Sequence, residues 1–263
     1  MPWFPDFVSA VELARKQTRA EGRADPVGQF FTALNAGDAQ ALETAWPGEV
    51  VVYDPRAGVV RSRRELRKFV RANQEWQDRR HARIETVAST RSGERAVVEL
   101  VAYLDDADPW PVTVVAQASG DESVVFRTYC SQRPLDGRHH LRPAILDTRT
   151  DLPADVGRYQ AALATGDAET LVRGFAPDGY VQTPDGAKHT GARELREFFT
   201  GIGAARLEPC AVTDGGDRCA LEYTCDRFGG RDVAAQAGIC VFDRTGTGLF
   251  SAVRVYDDVA PPA

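Results

Sequence analysis

The spacing of apolar and polar positions divides the chain into helices and strands of ordinary length. Asp25-Pro26 supplies an N-cap and a first-turn proline, and the helix they open runs to Gly37, a residue suited to a left-handed C-terminal cap. Asp38 then caps a second helix through Trp46. Val50-Val51-Val52-Tyr53 is β-branched and aromatic and predicts a strand, which Asp54-Pro55-Arg56-Ala57-Gly58 turns around. Ser62 and Glu65 form a capping box ahead of a third helix, whose Leu66, Phe69 and Val70 share one face. Strands are predicted over 82–89, 95–104, 112–118 and 124–130, separated by glycine and aspartate signals. Ahead of all of these, Phe4, Phe7, Val8 and Val11 recur at helical spacing and predict an extra amphipathic helix.

The same order of elements then returns. An offset of 129 residues brings Ala33-Leu34-Asn35-Ala36-Gly37-Asp38-Ala39 onto Ala162-Leu163-Ala164-Thr165-Gly166-Asp167-Ala168 without a gap. It also brings Trp46 onto Phe175, Pro55 onto Pro184, and Arg64-Glu65-Leu66-Arg67 onto Arg193-Glu194-Leu195-Arg196. The offset falls to 123 in the middle strands and is 127 at the last one, where Arg127-Thr128-Tyr129 meets Arg254-Val255-Tyr256. A period this long is a duplicated domain rather than a solenoid, whose repeats run about 20–50 residues. The second set of strands is predicted over 207–213, 218–226, 233–242 and 249–256. The organisation that follows is an N-terminal extra helix over 1–24, a first domain over 25–131, a linker over 132–152 and a second domain over 153–263.

Charge and composition narrow the class. The net charge of −6 is shared unevenly, −1 over residues 1–140 and −5 over 141–263, so neither half has the positive excess that binding a phosphate backbone needs. No apolar run approaches a membrane span. The first residues lack a basic n-region and Glu12 interrupts their apolar stretch, so no secretory leader is read. Five cysteines, without C-x-x-C spacing, read as buried reduced thiols, and a cytoplasmic location is expected. The basic run over 61–83 is interleaved with Glu65, Glu75 and Asp78 and reads as a solvated helix face. His139-His140 has no further ligand at metal-binding spacing, and phosphate-loop, dinucleotide and nucleophile-elbow motifs are absent, so no metal or cofactor is expected.

A helix, an Ala-Gly-Asp corner, a helix ending in an aromatic, a strand, an Asp-Pro turn, an Arg-Glu-Leu-Arg-x-Phe helix and a set of long strands resemble the nuclear transport factor 2-like superfamily, most closely its SnoaL-like branch. The resemblance covers roughly residues 25–130 and 153–258. It implies an α+β fold in tandem: two cone-shaped domains, each a curved antiparallel sheet wrapped around three helices and enclosing one apolar pocket. It also implies a small hydrophobic ligand. Members include polyketide cyclases, ketosteroid isomerases, epoxide-opening enzymes and dehydratases, and others only bind ligands or proteins. Fold alone does not choose among these.

Asp54 is the leading catalytic candidate, since the family often places a carboxylate at this strand end and an apolar surrounding would raise its pKa. Its competing role is to cap the turn that follows it. The second copy has Thr183 there, which cannot act as an acid or base near neutrality unaided, and gains His189 where the first copy has Val60. Glu99 and Glu222 match in the middle strands, and Tyr129 and Tyr256 in the last. Glu99 would either join Asp54 as a second carboxylate or pair across the sheet with Arg127. The expected pocket walls comprise Trp46, Val52, Tyr53, Trp76, Tyr103, Trp110 and Tyr129 in the first copy, and Phe175, Thr183, Glu222 and Tyr256 in the second.

Two functions stay open on these residues. One is a cofactor-independent isomerase, cyclase, hydrolase or lyase that moves protons on a small apolar molecule from the first domain. The other is a non-catalytic ligand-binding or protein-interaction module. Either way the two copies are expected to pack as an intramolecular pseudo-dimer, leaving a monomer in solution.

Overall fold

The computed structural model describes residues 24–260 apart from 106 and 121, together with residue 20. The helix expected from Phe4, Phe7, Val8 and Val11 lies outside the described residues. Helix α1 (Pro26–Ala36) starts where the Asp25 carboxylate accepts the Gly28 amide, and stops at Gly37, whose φ of 66° is the left-handed conformation a glycine adopts without steric cost. Asp38 caps α2 (Ala39–Ala45) through the amides of Gln40 and Ala41. Strands β1 (Val50–Asp54) and β2 (Gly58–Val60) form a short antiparallel hairpin. Helix α3 (Arg63–Arg79) opens on the Ser62–Glu65 capping box, with both reciprocal hydrogen bonds made. Strands β3 (Arg83–Ser92), β4 (Arg95–Leu104), β5 (Ala107–Ala118) and β6 (Val124–Tyr129) complete a six-stranded sheet in the order β2-β1-β6-β5-β4-β3.

A four-residue helix α4 (Arg133–Asp136) follows, and then the pattern repeats. Helices α5 (Ala154–Thr165) and α6 (Ala168–Arg173) precede the hairpin β7 (Phe175–Gln182) and β8 (Lys188–Thr190). Helix α7 (Gly191–Ile202) has 12 residues against 17 in α3, which accounts for the drop in offset after it. Strands β9 (Arg206–Asp214), β10 (Arg218–Phe228), β11 (Arg231–Arg244) and β12 (Phe250–Tyr256) give the second sheet, ordered β8-β7-β12-β11-β10-β9. The protein is thus an α+β tandem duplication. One refinement concerns strand direction: β1 runs parallel to β6, and β7 parallel to β12, so each expected antiparallel sheet contains one parallel pair. The long excursion through a helix and four strands between the partners makes that direction accessible.

Apolar periodicity places the cores. The buried face of α1 carries Val27, Phe30, Ala33 and Leu34, and the Phe30 ring stacks on Phe126 with centroids 4.3 Å apart. In the second repeat Tyr159 of α5 takes the equivalent place and meets Phe175, Phe199, Phe242 and Phe250 edge-on, a favoured arrangement for aromatic quadrupoles. All five cysteines are buried and free. Among the described residues no helix is long and apolar enough to cross a membrane.

The chain forms two compact units whose boundary does not follow the repeat. The first comprises the chain up to Ala82 with Glu94–Ala96 and Val114–Thr128, and the second Arg83–Gly93, Val97–Thr113 and everything from Tyr129. Within the second unit, Arg218 of β10 donates to the Ser89 carbonyl of β3 at 3.2 Å. The segment between the repeats is tied into the same unit. Ala237 donates to the Arg142 carbonyl, Pro143 bridges to Gln236, and the Thr148 hydroxyl donates to the Cys210 carbonyl at 2.7 Å.

Candidate functional site

A pocket of about 410 Å³ opens in the second repeat. Its floor and walls are apolar because each element turns one hydrophobic stripe inward: Leu163 from α5, Val181 from β7, Phe198 and Ile202 from α7, Leu207 from β9 and Val255 from β12. Polar groups enter from three sides. The β7–β8 turn brings Thr183 and Asp185, with His189 just beyond it. The inter-repeat segment brings Ser131, Arg133 and His139. Strand β10 and the chain after β12 bring Tyr223 and Asp257.

Tyr223 and Asp257 form a directly bonded pair. The phenol donates to Asp257 Oδ2 at 2.5 Å, and the Val259 amide donates to Oδ1 at 3.3 Å. Burial raises the Asp257 carboxyl to about 6, with its neighbour Asp258 adding to the rise, while the Tyr223 and Val259 hydrogen bonds and His139 pull the other way. Burial also pushes the Tyr223 phenol well above its usual value. The tyrosine ring owes its position to Gly238, its cross-strand partner on β11. A β-carbon there would stand 2.5 Å from the phenol, so any side chain would displace the ring.

The adjacent carboxylate does different work. Asp258 accepts the Ser131 hydroxyl at 2.7 Å and the amides of Gln132 and His140 at 3.1 and 2.9 Å, and its Oδ1 lies 3.2 Å from His139 Nδ1. The inter-repeat segment is therefore wound around one buried acid, which sets Ser131, Arg133 and His139 into the pocket wall. His140 in turn contacts Asp136.

Of the residues expected from sequence, Thr183 and His189 reach this pocket. The Thr183 hydroxyl lies 2.6 Å from Asp185 Oδ1, and the His189 ring stacks on Phe198 at 4.5 Å. Asp54 is elsewhere, at the β1–β2 turn, where Oδ1 accepts the amides of Arg56 and Ala57, both at 2.8 Å. That is the turn-capping role. Trp76 is covered by the guanidinium groups of Arg56 and Arg80, and Tyr53 is contacted by Arg61. Trp46 and Val52 are buried in the first repeat, Phe175 packs in the second core, and Arg83 lies over Tyr103. Trp110 donates to the Ser131 carbonyl at 2.6 Å.

Glu99, Glu222, Tyr129 and Tyr256 come together, but not in the pocket. Glu99 is 1% exposed and neither joins Asp54 nor faces solvent. Arg254 grips it through Nε at 2.5 Å and Nη2 at 3.0 Å, and Tyr256 donates to it at 2.8 Å. Matched residues exchange partners: Tyr129 donates to Glu222 at 2.7 Å, as Tyr256 does to Glu99. All five residues belong to the second unit. Arg254 also bonds Asp243, which Arg218 reaches from the other side. Burial alone would raise the Asp243 carboxyl, but the two guanidinium groups bring it below the usual range. This is a buried ion network in which each carboxylate meets a guanidinium group.

Sequence reasoning did not single out Tyr223 and Asp257. Their signal lay in the repeat: at offsets 123 and 127 they fall on Leu100 and Cys130, two apolar positions turned polar in one copy. Among the described residues no group of three or more His, Cys, Asp or Glu is placed to hold a metal.

Two sheet-and-helix repeats, one enclosing an apolar pocket with a buried carboxyl, define a tandem α+β pocket protein of the nuclear transport factor 2-like type. The chain belongs to the SnoaL-like domain family, whose model matches residues 27–138 and again 156–251. Solved structures similar to it each match about two fifths of its length. A candidate polyketide cyclase from Sinorhizobium meliloti is 25% identical over 40% of this chain and 95% of its own, with a TM-score of 0.34. A protein with a ketosteroid isomerase-like fold from Catenulispora acidiphila, in complex with trimethylamine, is 18% identical over 42% and 90%, with a TM-score of 0.35. An NTF2-like protein from Cytophaga hutchinsonii is 13% identical over 42% and 95%, with a TM-score of 0.34. Comparison with curated proteins gives no match.

Proposed function

We propose that the second repeat takes a small, predominantly apolar molecule into its pocket and that Asp257, oriented by Tyr223, moves a proton on it. The observation that carries this reading is a carboxyl with a pKa raised to about 6, buried against the walls of an apolar cavity of about 410 Å³. Such a group is largely ionised at neutral pH yet returns a proton readily, which suits abstraction of a proton beside a carbonyl and its redelivery. Isomerisation, aldol-type cyclisation and dehydration use that step without a cofactor, and in epoxide opening the same carboxylate would take the proton of the attacking water or hydroxyl. The chemistry is thus proposed for the second domain, and Asp54, held by two turn amides, becomes the comparison residue.

A second reading, ligand binding without catalysis, is favoured by one feature: the Tyr223 proton is already committed to Asp257. The exchange of tyrosine–glutamate partners supports an intramolecular pseudo-dimer that is monomeric in solution, and buried free thiols support a cytoplasmic location.

The test separates binding from chemistry. Val255→Phe intrudes on the cavity and should weaken binding of the neutral dye N-phenyl-1-naphthylamine. Asp257→Asn should keep that binding and lower turnover about a hundredfold or more on a ketone or epoxide substrate found by screening. Native turnover should rise with pH to a plateau, half-complete near the carboxyl's value of about 6. Full turnover in Asp257→Asn would overturn the catalytic assignment. Dye binding unaffected by Val255→Phe would overturn the pocket itself.

A further inference from the structure

The segment joining the two repeats contributes side chains to the pocket wall, and those side chains bear on what the pocket holds. Arg133, in α4, lines the cavity with its side chain half-exposed. Its guanidinium has five donors, yet among the described residues its ionic contact is Asp185 Oδ2 at 3.8 Å, beyond hydrogen-bond length. Asp185 is occupied on its other oxygen by the Thr183 hydroxyl and the Ala187 amide. Exposed pairs this loose contribute little, so an incoming anion can take the guanidinium at small cost. A carboxylate, sulfonate or phenolate would offer it the shorter, charge-assisted bonds it now lacks.

The buried part of the lining carries an acid instead. Asp257 and Tyr223 present a carboxyl and a phenol that accept and donate protons, and an ionised Asp257 repels a second anion. His139, whose Nδ1 contacts Asp258, and His189, stacked on Phe198, line the same cavity and carry no negative charge. The segment that carries Arg133 is fixed by Asp258 rather than free, so the cation is presented from a rigid support. From this we infer that the pocket selects an amphipathic acid: an apolar body facing Asp257, with one anionic group held at the rim by Arg133. The inter-repeat segment is then a specificity element as well as a tether.

This inference rests on the pocket reading above, and two dyes with one ring system separate the two. The anion 8-anilinonaphthalene-1-sulfonate and the neutral N-phenyl-1-naphthylamine are titrated into the full chain at about pH 7.5, followed by dye fluorescence. The native protein should bind the anion about tenfold more tightly than the neutral dye. Arg133→Gln should weaken the anion about tenfold and change the neutral dye less than twofold, and Arg133→Lys should restore part of the difference. Equal weakening of both dyes, or of neither, would overturn the anion preference while leaving the pocket intact. Binding of both dyes that ignores Val255→Phe would remove the pocket reading and this inference together.

Discussion

Replacing Asp257 with asparagine should strip a specific pH dependence from the stability of the protein. Burial moves this carboxyl from an ordinary 3.8 to about 6. Between those values the folded chain keeps a proton that the unfolded chain has released. Stability therefore falls as pH rises through the interval, the reverse of what an ion-paired carboxylate does. A gap of about two pKa units at 1.36 kcal/mol each comes to about 3 kcal/mol, lost between about pH 4 and pH 7. Asparagine still offers Tyr223 an acceptor and carries no charge. The Asp257→Asn variant should thus match or fall slightly below the native protein at pH 4, and exceed it by about 2–3 kcal/mol at pH 7.

Urea unfolding at four pH values between about 4 and 7.5 measures this, because every other carboxylate is common to both proteins and cancels in the difference. Far-ultraviolet circular dichroism is the appropriate signal, since all four tryptophans lie at or before Trp110 and report poorly on the second repeat. A difference between the two proteins that stays constant with pH would refute the reasoning. So would a variant that loses ground as pH rises.

Two further expectations address the residues singled out from sequence. Glu99→Ala leaves Arg254 buried without its bidentate partner and should destabilise the protein by about 3–5 kcal/mol, measured by the same unfolding experiment, with Glu99→Gln less damaging. Asp54→Asn weakens a turn cap and should cost about 1 kcal/mol or less, with no change in the affinity of either naphthyl dye. A loss of dye binding in that variant would return the site to the first repeat.

What the sequence revealed and what it hid divide along the range of the interactions. Asp25, Ser62 with Glu65, and Gly37 act on backbone groups within a few residues, so their roles as caps and stops were legible from spacing. The duplication was legible because identical local rules recur. The parallel β1–β6 and β7–β12 pairs were not, since direction is decided by which strands meet after a long excursion. Glu99 was flagged by its recurrence as Glu222, but its partner Arg254 lies 155 residues away, and no local pattern announces such a bond. Asp54 was legible in both its roles. Its Asp-Pro-Arg-Ala-Gly setting is a complete turn signal, and Oδ1 accepts two amides of that turn. Asp257 follows the last strand, where the Tyr223 phenol and the Val259 amide hold its carboxyl against the cavity, and its phenol partner lies 34 residues away in the chain.

The exchange of tyrosine–glutamate partners has a consequence for how the two copies can change. In a homodimer every substitution occurs twice, so a buried acid costing about 3 kcal/mol would be suffered in both pockets at once. Fusing the copies into one chain ends that obligation. Glu99, Glu222, Tyr129 and Tyr256 can keep the paired contact alike in both halves, while Leu100 and Cys130 on one side stand opposite Tyr223 and Asp257 on the other. The buried acid then burdens one half of the chain, while the tyrosine–glutamate contacts are the same for both copies.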